Sequence, residues 1–62
     1  MLMTTDQRIN SFANQRSLLW RALVPLKEVQ DKEQSEEISD AMELIKLQIE
    51  NLSIQISELQ SQ

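Results

Sequence analysis

Residues 38–59, which read ISDAMELIKLQIENLSIQISEL, carry the pattern that decides the fold of this chain. Apolar residues recur along them at alternating spacings of four and three: Ile38, Met42, Ile45, Ile49, Leu52, Ile56 and Leu59. Because an α-helix turns once every 3.6 residues, this spacing lines up all seven side chains along one seam. Such a seam must be covered by other helices, so the chain is predicted to associate.

The composition favours helices throughout the chain. Its 62 residues include no glycine, tyrosine, cysteine or histidine, and one proline, Pro25. Tight turns between strands usually need glycine or asparagine, and sheets favour aromatic and β-branched residues. Good helix formers such as Glu, Gln, Leu and Lys are abundant instead. We therefore expect an all-α fold.

The small size of the chain points to self-association. A domain of this length buries only ~60% of its unfolded surface, which leaves it marginally stable. Small domains compensate with disulfides, bound metal or oligomerisation. Since cysteine and histidine are absent, oligomerisation is the remaining route. We predict a helical hairpin that self-associates into a four-helix bundle or coiled-coil-like oligomer, at least a homodimer.

The N-terminal half predicts a first helix at about residues 5–29. Thr4 and Gln7 fit a capping box, in which each side chain bonds a free backbone amide. Arg16 interrupts the apolar face of this helix. Pro25 is expected to kink or break it, because proline lacks an amide proton and clashes with the preceding turn. The apolar face comprises Ile9, Phe12, Leu19, Leu23 and Leu26.

A polar segment, QDKEQSEE at residues 30–37, separates the two apolar patterns. Asp31 and Ser35 are both suited to cap the helix that follows. We favour a hairpin with a turn at about 30–35 and a second helix at about 36–60, in a single domain over 1–62. One long helix from Pro25 to Leu59 is the alternative, because no glycine enforces a turn.

Charge is distributed unevenly between the two halves. Residues 1–27 carry four basic side chains and one acidic side chain, a net charge of +3. Residues 28–62 carry two basic and nine acidic side chains, a net charge of −7. This complementarity favours packing of the two helices side by side.

The heptad positions around the seam favour a bundle over a two-stranded zipper. Ile38 and Ile45 stand at d positions, where two-stranded coils prefer leucine. The flanking e and g positions carry small or uncharged residues apart from Lys46, and such residues can be partly buried in a wider interface. The predicted oligomer interface comprises Ile38, Met42, Ile45, Ile49, Leu52, Ile56, Leu59, Ile9, Phe12, Leu19 and Leu23.

Three further apolar residues lie opposite the seam of the second helix: Leu44, Leu47 and Ile54. They are either scattered surface side chains, which are common, or a second contact surface for a partner protein or another copy of the chain.

Most side chains used in enzyme chemistry are missing. Histidine, cysteine and tyrosine are absent, and so is any glycine-rich phosphate loop. Carboxylate-bridged metal bundles also use histidine, so the acidic cluster Glu36, Glu37, Asp40 and Glu43 is expected to be a solvated face. We expect a non-enzymatic protein without cofactor or metal: an adaptor, small chaperone or inhibitor that oligomerises through the second-helix seam and docks on a larger protein.

A nucleic-acid interface is the first alternative function. Polar residues form a stripe on the predicted first helix, and arginine and amide side chains can contact phosphate and sugar edges. The candidate contacts are Arg8, Asn14, Arg16 and Arg21. Against this alternative, the basic residues are few and the net charge of the chain is −4.

The polar turn carries Asp31 and Gln34 in an Asp-x-x-Gln pattern. In this turn, and in size and layout, the chain resembles the plasmid repressor-of-primer family. That resemblance implies a dimeric four-helix bundle that binds paired RNA loops through its first helices. It covers layout only, and no residue role carries over. The family's RNA-contacting phenylalanine faces outward, whereas Phe12 falls on the predicted apolar face.

A membrane surface is the second alternative. Residues 16–24, RSLLWRALV, mix arginine, tryptophan and leucine as interfacial helices do. Trp20 also fits as an anchor inside a bundle. No segment approaches the ~20 apolar residues that a spanning helix needs, so we expect a cytoplasmic protein.

Overall fold

Two helices joined by a short turn make up the fold. The computed structural model describes residues 2–61. Within them, α1 spans Thr5–Lys32 and α2 spans Glu36–Gln60. The helices pack side by side and antiparallel, in a rod of 45 × 16 × 15 Å. The predicted all-α hairpin is confirmed, and the alternative of one long helix is wrong.

The capping box predicted at the start of α1 is confirmed. The Gln7 backbone amide donates to Thr4 Oγ1 at 3.1 Å, and the Thr4 amide donates to Gln7 Oε1 at 2.9 Å. Each side chain thus satisfies a backbone amide that has no partner within the helix. Asp6 adds a negative charge to the first turn, where the helix dipole favours it.

The first helix runs through Pro25 and ends at Lys32, beyond the expected end at residue 29. Proline removes the hydrogen bond that its amide would donate to the Arg21 carbonyl. Because Pro25 is exposed, water can reach that carbonyl. On the inner face of α1, Leu23 is buried and Leu26 is half-buried. We attribute the continuity of the helix to this packing on both sides of the proline.

The turn comprises Glu33, Gln34 and Ser35. The Glu33 amide donates to the Val29 carbonyl at 2.8 Å, and the Ser35 amide donates to Gln30 Oε1 at 3.0 Å. Ser35 occupies the N-cap position of α2, but its side chain makes no capping hydrogen bond. The cap predicted at Asp31 is wrong, because α1 continues through that residue.

The core of the hairpin is small. Among residues 2–61, four apolar side chains are buried, each 6–7% exposed: Leu23, Ile49, Leu52 and Ile56. Three of them belong to the α2 seam, and α1 is the helix that covers them. Burying one such side chain fully contributes about 1.5–3 kcal/mol. Four of them stabilise the fold only modestly against the conformational entropy of ordering the chain.

We expect Thr4→Ala to lower the free energy of unfolding by about 1 kcal/mol, since it removes the N-cap bond of α1. Urea denaturation at one fixed protein concentration, followed by circular dichroism, measures the change. Thr5→Ala is the matched control, because Thr5 lies inside the first turn and cannot cap it. Equal effects of the two substitutions would contradict the role of Thr4.

We expect Pro25→Ala to stabilise the hairpin by about 1–3 kcal/mol, because alanine restores a helical hydrogen bond and has a much higher helix propensity than proline. The same denaturation assay measures the gain. Val24→Ala, at the adjacent exposed position, serves as the control and should change stability by less than about 0.5 kcal/mol. Destabilisation by Pro25→Ala would show that α1 needs the proline.

Candidate interaction surfaces

One side of the hairpin, here called the tryptophan side, carries an open groove of about 360 Å³ between the helices. Trp20 is 56% exposed at its edge, so it is not an anchor inside the hairpin. Charged residues also line the groove, because lysines from both helices project over the same opening. Its lining comprises Trp20, Leu23, Val24, Lys27, Met42 and Lys46.

A second groove, of about 380 Å³, lies at the open end of the hairpin, where the start of α1 lies beside the end of α2. It occupies the opposite side of the molecule. Lys46 and Gln55 are nine residues apart on α2, and nine residues are about two and a half helical turns. These two side chains therefore point in opposite directions. The second groove is lined by Met3, Arg8, Ser11, Phe12, Gln55, Glu58 and Leu59.

The residues predicted as an oligomer interface lie on the inner faces of the hairpin. Ile49, Leu52, Ile56 and Leu23 are buried there. The other seven keep part of their surface exposed, because a single neighbouring helix covers only one side of each: Ile9, Phe12, Leu19, Ile38, Met42, Ile45 and Leu59. The hairpin thus brings all eleven residues together and leaves an incompletely covered seam.

Arg16, which interrupts the apolar face of α1, reaches across to α2. Its Nη1 donates to Ser53 Oγ at 3.2 Å in a partly buried position. Ser53 stands at an e position of the seam, next to Leu52. A small polar residue at this position leaves room for the guanidinium and gives it an acceptor. The interruption in the apolar pattern is therefore a polar link between the helices.

The three apolar residues predicted as a partner surface are all exposed: Leu44 by 64%, Leu47 by 55% and Ile54 by 50%. Leu47 and Ile54 are seven residues apart, so they lie on one strip of α2, facing away from α1. Leu44 precedes Leu47 by three residues and lies nearer to α1. The three side chains form two adjoining strips along the same helix.

The four candidate nucleic-acid contacts do not share one face. Asn14 and Arg21 are exposed and, at a spacing of seven, lie on one strip of α1. Arg16 bonds Ser53 on the inner face, and Arg8 lines the groove at the open end together with Glu58. The arrangement therefore presents one arginine and one amide side by side.

Sequence reasoning missed several exposed apolar residues on α1. Leu18 is 62% exposed and Val29 is 47% exposed. With Ala22 they are spaced by four and seven residues, so one position of the four-three spacing that revealed the α2 seam is missing. The signal is weak because a small residue stands in its middle. This strip adjoins the inner face on the side that carries the groove at the open end.

Neither a protein-family model, nor a curated protein, nor a solved structure matches this chain. Over residues 2–61, no cluster of three or more carboxylate, cysteine or histidine side chains has the arrangement of a metal site. In the same part of the chain, neither helix combines the length and hydrophobicity needed to cross a membrane.

We expect Leu52→Ala to lower the free energy of unfolding by about 2–5 kcal/mol, because it opens a cavity in the four-residue core. Leu47→Ala is the matched control: it removes the same atoms from an exposed site and should cost less than about 0.5 kcal/mol of folding stability. Denaturation of both variants at one concentration tests this. Similar losses for the two would contradict the assignment of core and surface on α2.

Proposed function

We propose that this chain is a small non-enzymatic protein–protein interaction module, an adaptor, small chaperone or inhibitor. It associates with itself and docks on a larger protein. One observation carries the proposal: over residues 2–61 the hairpin leaves nine large apolar side chains exposed and buries four. Contiguous exposed apolar surface on a small soluble domain typically marks a site of association.

The outer strip of α2 is the docking surface in this proposal. Leu47 and Ile54 lie on it, two helical turns apart, with Leu44 at its edge. Anchors at such spacings insert into an apolar groove of a partner when an amphipathic helix binds there. Because these side chains already project from a formed helix, binding requires little additional ordering of the chain.

Charge around this strip favours a basic partner. Asp40, Glu43, Glu50 and Glu58 precede or follow the anchors within a turn or two, and α2 as a whole carries six acidic side chains and one lysine. A groove with an apolar floor and lysine or arginine at its rim is complementary to this surface. Such complementarity raises the association rate and gives specificity more than it adds affinity.

The α2 seam supports the self-association part of the proposal. α1 covers the seam from one direction, and four of its seven residues stay half-buried: Ile38, Met42, Ile45 and Leu59. Covering further apolar surface with a second hairpin contributes about 25 cal/mol for each Å² buried. For a hairpin with a four-residue core, the free energy gained by burying this surface is comparable with the folding stability of the single chain.

The composition supports a non-enzymatic role. The chain has no histidine, cysteine or tyrosine, which are among the groups that most often act as catalytic base, nucleophile or acid. The arrangement of the exposed side chains does not favour the RNA-binding alternative or the membrane-surface alternative. The candidate RNA contacts are dispersed around α1. The exposed large apolar residues of the segment at 16–24 are divided as well: Trp20 and Val24 lie on the tryptophan side, and Leu18 points in a different direction.

The double substitution Leu47→Glu and Ile54→Glu tests the docking surface. We expect it to abolish capture of the native partner while helix content and self-association stay unchanged, because both side chains lie outside the core. The measurement compares wild type and variant by photocrosslinking from a residue placed at position 50, in the native host, followed by the mass of the intact complex.

Val24→Glu is the control for that experiment. Val24 is 58% exposed but lies on α1, at the tryptophan side, so this variant should keep the crosslinked partner. Loss of the partner in the Val24 variant alone would move the docking surface to the tryptophan side. Unfolding of the double variant would mean that Leu47 and Ile54 belong to the core of an oligomer.

A further inference from the structure

One side of the hairpin carries no charge along its middle, between Arg8 and Glu58 at the open end and Lys32 and Glu37 beside the turn. We call it the uncharged face and define it by Leu18, Ala22 and Val29 of α1 and Ala41, Leu44 and Gln48 of α2. Its three large apolar side chains are 47–64% exposed. Ala22 and Ala41 carry small side chains.

Heptad spacing places these six residues on one side of the molecule. Leu18 follows Ser11 by seven residues, and Gln48 precedes Gln55 by seven, which amounts to about two full turns. Ser11 and Gln55 both line the groove at the open end. The uncharged face therefore continues that groove towards the turn, opposite the tryptophan side.

The charged residues of the same stretch lie elsewhere. Lys27 and Lys46 line the groove on the tryptophan side, and Glu43 lines a neighbouring groove with Lys46. Arg21 and Glu28 each stand within one turn of Val24, so they lie on the tryptophan side of α1 or on its outer surface. Glu50 stands one turn from Lys46, so it lies on the tryptophan side of α2 or on its outer surface. Arg16 is bonded to Ser53.

We infer that the uncharged face is where a second copy of this chain packs. The two copies are related by a two-fold axis parallel to the helices, with both turns at the same end, and together they form a four-helix bundle. The inference deepens the self-association in the proposed function by naming its surface and geometry. The α2 seam packs on α1 of its own chain. A second copy on the uncharged face also covers the half-buried Ile38 and Ile45 of the seam, because each stands within one turn of Ala41.

The exposed area of the chain is the first argument for a second copy. The chain exposes 5135 Å², whereas a compact monomer of 7.2 kDa exposes about 4100 Å². The excess is about 1000 Å², and a stable interface buries about 800 Å² of each partner.

Charge is the second argument, and it fixes the direction of packing. α1 carries five basic and three acidic residues, a net charge of +2, and α2 carries one basic and six acidic residues, a net charge of −5. A two-fold axis parallel to the helices places each α1 against α2 of the other copy. An axis perpendicular to the helices would stack the two acidic α2 helices on each other, which is unfavourable.

The position of the charged residues along the rod gives the same direction. Arg8 and Glu58 bound the uncharged face at the open end, and Lys32 and Glu37 bound it beside the turn. With both turns at the same end, Arg8 of one copy faces the α2 end that carries Glu58 in the other. The opposite direction would set Arg8 against the α1 end that carries Lys32, and Glu58 against the α2 end that carries Glu37, and such pairs of like charge are unfavourable.

The small residues provide the fit. Within the hairpin, Arg16 stands level with Ser53, to which it is bonded, so Leu44 stands about level with Pro25. Because a parallel two-fold axis keeps these levels, Leu44 of one copy lies between Ala22 and Val29 of the other. A large side chain beside a small one such as Ala22 lets two helices approach closely.

The test is sedimentation equilibrium of the full chain over a wide concentration range. Wild type should be a dimer, and the double substitution Leu18→Glu and Leu44→Glu should raise the dimer dissociation constant by about 100-fold or more, since it buries four unpaired carboxylates in the interface. Both sites are exposed in the single hairpin and accept a good helix former, so circular dichroism should still report two helices at high concentration.

Val24→Glu is the matched control, because Val24 is as exposed as Leu18 but lies on the tryptophan side. It should change the dissociation constant by less than about threefold. Trp20 gives an independent readout on the same samples. Its emission maximum should stay constant as wild type dissociates on dilution, and a shift would place the interface on the tryptophan side and overturn the inference.

The direction of packing is tested with a spin label on Gln34→Cys, a single cysteine in a chain that has none. With both turns at one end, the two labels should be about 10–20 Å apart, as set by the ~10 Å separation of packed helices. A separation near the 45 Å length of the rod would overturn the parallel arrangement. This measurement needs no surface substitution and therefore does not depend on how the glutamate variants fold.

The outcomes separate this inference from the proposed function. A wild-type dimer that the Leu18 and Leu44 substitutions leave intact overturns the uncharged face as the interface, while self-association stands. A helical monomer at all concentrations overturns both. Loss of the dimer in this variant, with no such loss in the Leu47 and Ile54 variant, supports the assignment, because the outer strip of α2 remains free in the dimer.

Discussion

The packing of α1 against the α2 seam is the interaction on which the rest of the structure depends. Leu23 from one helix and Ile49, Leu52 and Ile56 from the other form the buried core. A turn of three residues and the hydrogen bond from Arg16 to Ser53 keep the helices in register. Every surface of the molecule follows from this pairing, because it determines which side of each helix is left open.

A core of four side chains leaves the single chain with a small margin of stability. Two helices can cover each other along one strip only, whereas the apolar residues of this chain occupy several. The excess appears as exposed leucine, isoleucine and valine on both helices. Association is the physical response to this excess, since it buries apolar surface without the cost of ordering another segment of chain.

Charge divides the remaining surface into regions with different uses. The tryptophan side combines an exposed indole with lysines from both helices, and the outer strip of α2 combines leucine and isoleucine with carboxylates. The uncharged face lacks both kinds of charge along the middle of the rod. In our proposals the uncharged face meets another copy of the chain, and the acidic outer strip meets a basic partner protein.

The sequence by itself determined the helical patterns and the capping box at Thr4 and Gln7, because these follow from local hydrogen bonding and from the 3.6-residue period. It favoured a hairpin but left one long helix open, because no glycine enforces a turn. It did not determine how α1 behaves at Pro25 and Asp31. Helix propensity favours an earlier end there, and packing of Leu23 and Leu26 against α2 outweighs it. Only the tertiary structure decided that Trp20 lies at the edge of a groove, and that Leu18, Ala22 and Leu44 share one uncharged face. Which residues of the two helices share a side depends on how one helix is rotated against the other. The sequence pattern of a single helix does not give that rotation.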